Sequence, residues 1–133
     1  SADMEGGMTM ENRAREDLGH RTRRFALAIV RLYAALPKSM VSQVMGRQLL
    51  RSGTSVGAHY REARRGKSNS DFISKIEGAL QELDETGYWL ELLQDADVLK
   101  REPVEKLLAE SNELMAIFVS IVLQVKSKPR SAT

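Results

Sequence analysis

The sequence contains no cysteine, which excludes disulfides and thiolate metal sites and fits a reducing cytoplasm. It has only three prolines, and its β-branched residues form no alternating runs, so helices are favoured over strands. No apolar run approaches the ~20 residues that cross a bilayer, and we expect no membrane partner. The 133 residues, of which 42% are apolar, predict one domain with one core.

Apolar residues instead recur at spacings of three and four, which predicts amphipathic helices. The predicted segments are about 12–36, 40–65, 69–96 and 103–126. Short links make neighbouring helices antiparallel, so the fold class is all-α, an up-down-up-down four-helix bundle over 12–126. Residues 1–11 are expected to be a disordered N-terminal segment or an expression remnant, and 127–133 a disordered basic tail.

Local signals support these boundaries. Pro37 ends the first helix, and Ser39 is placed to cap the second. Gly66 is a natural C-terminal stop, and Ser68 is placed to cap the third helix. Pro103 is expected at the first position of the fourth.

Charge is distributed unevenly, although the net charge is only +2. Residues 1–67 contain 13 Lys or Arg against 6 Asp or Glu, whereas residues 68–133 contain 7 against 12. Eleven of the 13 basic residues in the first half are arginine, whose planar fork holds phosphate or carboxylate. The asymmetry indicates either a basic face for nucleic acid or two opposite faces that attract each other between subunits.

The stretch RSGTSVGAHYREARRGKS, at residues 51–68, combines glycines, hydroxyl side chains, a histidine and basic residues that could indicate a binding or catalytic site. Its GKS is not a nucleotide-binding loop, because position 61 is arginine where that loop needs glycine. A di-iron bundle needs Glu-x-x-His pairs, and the chain has none, so we predict no metal and no cofactor. Ser52, Ser55 and His59 share a helical row but lack an oxyanion site, so we predict no catalytic residues and no enzyme activity.

Small residues surround one section of the predicted second helix. Gly53 and Gly57 are the clearest, because glycine inside a helix costs about 1 kcal/mol relative to alanine. That cost is expected where another helix approaches closely. Because small residues lie on several sides, we also expect a second interface there, such as one with another subunit.

The segments QLLRSGTSVGAHYREA and SDFISKIEGALQELDETGYWLELL resemble the four-helix-bundle proteins encoded within intervening sequences of bacterial 23S rRNA genes. The family was once named for a ribosomal protein, and its relatives include the accessory variability determinant of diversity-generating retroelements. The resemblance covers about 22–125. The matching residues are Arg51, Ser52, Ser55, Val56, Ala58, Glu62, Phe72, Ile73, Gly78, Glu82 and Leu83.

Two positions depart from the family pattern: His59 replaces an asparagine, and Ala63 replaces a glycine. The resemblance implies a cytoplasmic, non-enzymatic bundle that assembles into a ring-like homo-oligomer, a homopentamer. It also implies nucleic acid and a reverse transcriptase as partners where a member lies in a retroelement. Of the signature residues, we expect Glu62 and Glu82 to pair with Arg51, His59 or a serine hydroxyl.

The leading functional hypothesis is a homo-oligomeric scaffold that binds nucleic acid, RNA in preference to DNA, through its basic first half. The candidate phosphate contacts converge because the first two helices are antiparallel. They are Arg21, Arg23, Arg24, Arg61, Arg64, Arg65 and Lys67. The alternative is an oligomerisation module without nucleic acid, in which the basic half docks on the acidic half of a neighbouring subunit.

Overall fold

The computed structural model describes residues 10–128, and it describes side chains from residue 17 onward. Four helices account for most of this range: α1 (Met10–Ala34), α2 (Met40–Arg64), α3 (Asn69–Asp95) and α4 (Arg101–Ser127). The described residues contain no strand. The all-α prediction is therefore confirmed. Disorder was expected over 1–11 and 127–133. Residues 1–9 and 129–133 lie outside the described residues, whereas residues 10, 11 and 127 are helical.

The second and third helices begin at the predicted serine caps. The Ser39 hydroxyl accepts a hydrogen bond from the backbone N–H of Ser42 at 3.2 Å. The Ser68 hydroxyl accepts one from Asp71 at 3.0 Å. Each bond satisfies a backbone donor that has no acceptor within its own helix.

The fourth helix begins two residues before the predicted start, so Pro103 is its third residue and not its first. This position is tolerated because N–H groups in the first helical turn have no acceptor in the helix, and proline lacks only that group. The preceding link contains Asp97 in the left-handed region, with φ of 59°. The backbone N–H groups of Asp97 and Val98 bond to the carbonyls of Gln94 and Leu93, which makes a Schellman end to α3.

Consecutive helices are antiparallel, as side-chain contacts along each pair show. In α1 and α2, Ile29 lies against Gly53 while the earlier Thr22 lies against the later Gly57. In α2 and α3, Arg51 contacts Glu85, and the later Glu62 contacts the earlier Lys75. By contrast, α1 and α4 touch at few points.

A single apolar core runs between the four helices. Fully buried side chains come from every helix and include Ile29, Leu49, Val56, Ile76, Leu83, Leu90, Leu114 and Phe118. Burying such side chains stabilises the fold by about 1.5–3 kcal/mol each. The core thus fixes how each helix is rotated about its own axis, and this rotation determines which polar residues face outward.

Helix α4 carries apolar residues beyond those that the core uses. By length and composition alone it is apolar enough to cross a membrane, although its apolar residues do not form one uninterrupted run. Val104, Leu114, Phe118 and Val122 are buried in the core, whereas Leu123 is 61% exposed. The apolar character of α4 therefore exceeds what its packing within this chain requires.

Candidate nucleic-acid interface

An open groove of about 820 Å³ runs between α1 and α2. Small side chains and glycines line most of it, and four arginines and Tyr60 line the rest. The small residues are Gly19, Thr22, Ala26, Thr54, Gly57 and Ala58. These small side chains leave open space between two helices that otherwise pack closely.

The two glycines predicted for close packing bring α1 against α2 within the chain. A Cβ atom placed on Gly53 would lie 2.8 Å from Cγ1 of Ile29. One placed on Gly57 would lie 3.2 Å from the hydroxyl oxygen of Thr22. The contacts of these glycines are therefore with α1 of the same chain, whereas Thr54 and Ala58 face the groove.

Four of the predicted arginines surround the groove: Arg23 from α1, Arg61 and Arg64 from α2, and Arg65 directly after α2. All four side chains are exposed. None of them forms an ion pair with another residue in the described part of the chain. The guanidinium of Arg64 lies 6.0 Å from the centroid of the Tyr60 ring. The structure thus brings together arginines from two helices around one cavity, and none of the carboxylates described forms an ion pair with them.

Three further candidates do not line the groove. Arg24 is exposed on α1, and Lys67 is exposed in the link after α2. Arg21 faces α4, where its guanidinium bonds to Glu110 at 2.8 Å and to Glu113 at 3.1 Å. Hydrogen bonding to Glu110 is the main reason that the pKa of Arg21 is raised above its ordinary value. Arg21 therefore joins α1 to α4.

The family-signature residues form a polar cluster between α2 and α3. Arg51 contacts Glu85, and its guanidinium lies 3.4 Å from the carboxylate of Glu82. Arg51 is one of the partners expected for Glu82. The hydrogen bond between Arg51 and Glu85 lowers the pKa of the Glu85 carboxyl group and raises the pKa of the Arg51 guanidinium. Glu62 pairs with Lys75 at 3.2 Å, a partner that the sequence did not suggest. These charges link the two helices and leave the α1/α2 groove to other residues.

His59, which replaces the family asparagine, lies at the inner side of this cluster. Its Nε2 is 3.5 Å from Glu82, and its Nδ1 is buried with no hydrogen-bond partner among the described residues. A Cβ on Gly78 would lie 3.0 Å from that Nδ1, so Gly78 makes room for the ring. This environment favours the tautomer that carries its proton on Nε2.

The signature serines make hydrogen bonds within the bundle. Thr86 of α3 donates to the hydroxyl of Ser52 at 2.9 Å, and both side chains are buried. Ser55 donates to the backbone carbonyl of Arg51. Because their hydroxyls are used in this way, these serines support packing. Among the described residues, no three His, Asp or Glu side chains come together as metal ligands.

A second, smaller groove of about 350 Å³ lies between α3 and α4. Asp84 and Glu91 are among its lining residues, as is Tyr88, which is 56% exposed. Val119 and Leu123 on α4 are also exposed. The helix pair that carries the acidic half of the chain thus presents a surface with both negative charge and apolar side chains.

Sequence reasoning found the arginines but missed several of their structural partners. Thr86, Glu110 and Glu113 were not predicted, because contacts between helices depend on the phase of both helices. The groove-facing residues of α1 were also missed. Gly19, Thr22 and Ala26 recur at spacings of three and four, a signal that could have indicated a face of small residues.

The helix order and antiparallel packing define an all-α helical-bundle protein with a basic groove on one helix pair. The chain belongs to the 23S rRNA-intervening sequence protein family, whose model matches residues 17–120. This membership confirms the family resemblance.

A solved structure of a protein of unknown function from the S23 ribosomal protein family of Bacteroides thetaiotaomicron is similar to this chain. The two sequences are 40% identical, and the TM-score is 0.78. The match covers 82% of this chain and 97% of the other. Among curated proteins, none matches.

Proposed function

We propose that this protein is a non-enzymatic, homo-oligomeric scaffold in the cytoplasm that binds nucleic acid in the α1/α2 groove. The observation that carries the proposal is the group of exposed arginines around that groove, Arg23, Arg61, Arg64 and Arg65. Elsewhere in the described chain, Arg21, Arg51 and Arg101 are paired with carboxylates. Groove arginines without such partners favour an anionic ligand from outside the chain.

Phosphate groups suit this groove better than isolated carboxylates do. Several guanidinium groups face one cavity from both of its walls, and each offers donors in a planar fork. A nucleic acid supplies closely spaced phosphates that engage these donors together and release counterions. The family description refers to 23S rRNA, and on that ground RNA is the first ligand to test.

The test compares two triple substitutions that remove the same charge. The groove variant is Arg23→Gln, Arg61→Gln and Arg65→Gln, and the control is Arg31→Gln, Lys38→Gln and Arg47→Gln. All six side chains are exposed, and the control residues do not line the groove. Fluorescence anisotropy with a labelled RNA should show a loss of affinity on the order of 100-fold for the groove variant only. Absence of binding by the unmodified protein at low salt would refute the proposal.

The second candidate function is oligomerisation in which the basic surface itself is the subunit interface. It is favoured by the exposed Tyr88, which lines the smaller groove with Asp84 and Glu91, and by the exposed Val119 and Leu123 elsewhere on α4. One copy's α1/α2 surface would then dock on the next copy's α3/α4 surface, a head-to-tail contact that can close into a ring such as a pentamer.

Charge reversal separates the two functions. Arg61→Glu, Arg64→Glu and Arg65→Glu should abolish RNA binding and leave the mass from light scattering unchanged if the groove binds nucleic acid. A fall to monomer mass would instead assign the groove arginines to the subunit interface. Circular dichroism of both proteins checks that the helices remain intact.

A further inference from the structure

We propose that the α1/α2 groove binds the sugar–phosphate backbone of a nucleic acid and makes no contact with its bases. This inference rests on the proposed function and names the part of the ligand that enters the groove. It depends on which chemical groups the groove offers.

Accessible aromatic faces, on which bases stack, are missing from the described lining of the groove. Tyr60 is its only aromatic residue, and that side chain is 2% exposed. The centroids of the Tyr60 and Phe118 rings are 5.7 Å apart, and the Arg64 guanidinium lies over the Tyr60 ring. Single-strand binding proteins gain about 1–3 kcal/mol per base from stacking on such faces. This groove offers no comparable surface.

Among the described lining residues, groups that read adenine or cytosine edges are also missing. Adenine and cytosine are read by Asn, Gln, Asp or Glu, none of which lines the groove. The hydroxyls of Thr22 and Thr54 already donate to the carbonyls of Leu18 and Leu50, at 2.8 Å and 2.7 Å. The side-chain donors that remain are the guanidinium groups, which suit phosphate.

The small lining residues allow a backbone to approach between the walls. Ala26 and Ala58 project only a methyl group into the groove. Arg61 and Arg65 are one helical turn apart, about 6 Å along the axis, and Arg23 belongs to the opposite wall. A strand lying along the groove would therefore have Arg61 and Arg65 beside successive phosphates on one side and Arg23 on the other.

The inference is tested with two single-stranded DNAs of equal length and equal phosphate number. One has a mixed sequence containing guanine, which arginine could read, and the other consists of stable abasic units. Their affinities at low salt should agree within about twofold, because phosphate contacts carry no base information. A tenfold or greater loss on removal of the bases would overturn the inference and leave the proposed function standing. If neither strand binds, and RNA does not bind either, both fail.

A second arm tests whether the backbone enters the groove. Ala58→Leu adds bulk to the α2 side of the groove without removing a charge, and it should weaken binding of both strands at least tenfold and by similar factors. Ala116→Leu, at an exposed alanine of α4, is the matched control and should leave both affinities unchanged. Unchanged binding by a folded Ala58→Leu protein would place the ligand outside the groove and overturn the inference.

Discussion

Gly53 sets the distance between α1 and α2, on which the shape of the groove depends. Gly53→Ala would gain up to about 1 kcal/mol of helix propensity. Its Cβ, however, would lie 2.8 Å and 2.9 Å from the two γ carbons of the buried Ile29. The Cβ of Ile29 would also be close, at 3.2 Å, and a β-branched residue in a helix is held in one χ1 rotamer, so overpacking should prevail. We expect a net loss of about 1–2 kcal/mol in the free energy of unfolding, measured by urea denaturation.

Gly87→Ala is the control for this substitution. Gly87 is also inside a helix, but its added Cβ would lie 3.6 Å from Leu108, an ordinary van der Waals distance. Helix propensity should then dominate, and the free energy of unfolding should rise by about 0.5–1 kcal/mol. Equal effects of the two substitutions would show that α1 and α2 do not pack as closely as described.

The Arg51–Glu85 ion pair should make stability depend on acid pH. Because hydrogen bonding to Arg51 lowers the pKa of Glu85 in the folded state, the pair stabilises the fold above the unfolded pKa of about 4.3. That contribution is lost as the pH falls through the lower folded pKa. At pH 7 the melting temperature of Glu85→Gln should lie below that of the unmodified protein. The two values should converge in strong acid, and a difference that does not change with pH would contradict the assigned ion pair.

Asp97 stabilises the end of α3 less well than glycine would. Its φ of 59° is left-handed, a conformation that costs an L residue about 1–2 kcal/mol and aspartate somewhat less. Asp97→Gly should therefore raise the free energy of unfolding by about 0.5–1 kcal/mol. Asp95→Gly, two residues earlier and still helical, should lower it by about 1 kcal/mol. Thermal denaturation of both variants checks the sign, and a loss in both would contradict the Schellman geometry.

The Arg21 contacts are the ion pairs that join α1 to α4 among the described residues. The Arg21 side chain is 15% exposed and that of Glu110 is 31% exposed, so the pair is partly shielded from water. A double-mutant cycle with Arg21→Gln and Glu110→Gln should give a coupling energy of about 1 kcal/mol in unfolding experiments. Coupling near zero would mean that the contact does not hold the helices together. RNA affinity should change little in Arg21→Gln, because this side chain faces away from the groove.

Helix-level features were predictable from the sequence because their causes are local. The serine caps at Ser39 and Ser68 and the three-four spacing of apolar residues depend on nearby residues alone. The start of α4 was misplaced because Pro103 is acceptable at several positions of a first turn. The Schellman end of α3 was not predicted because position 97 holds aspartate and not the glycine that usually marks such an end.

The candidate site was only partly predictable, because membership in it depends on helix phase. Arg21 and Arg23 are two residues apart and point about 200° apart around α1. One therefore meets the carboxylates of α4, and the other meets the groove. Counting charge in the first half of the chain placed both in one group. Separating them required knowledge of which face of α1 packs on α2.

The whole molecule combines a basic groove on α1 and α2 with an acidic, partly apolar surface on α3 and α4. These surfaces lie on different helix pairs, so one copy can hold a nucleic acid on the first and a neighbouring copy on the second. An oligomer built through α3 and α4 would repeat the groove several times. Repetition raises the effective concentration of binding sites along one nucleic acid and strengthens binding without new contacts.

The most direct test of groove binding is the salt dependence of RNA affinity. The logarithm of the association constant should fall linearly with the logarithm of salt concentration, with a slope proportional to the number of phosphates contacted. Removing Arg23, Arg61 and Arg65 by substitution with glutamine should make that slope shallower by about 2 to 3. The equally charged control at Arg31, Lys38 and Arg47 should keep the unmodified slope. Equal slopes for the groove variant and the unmodified protein would contradict nucleic-acid binding in this groove.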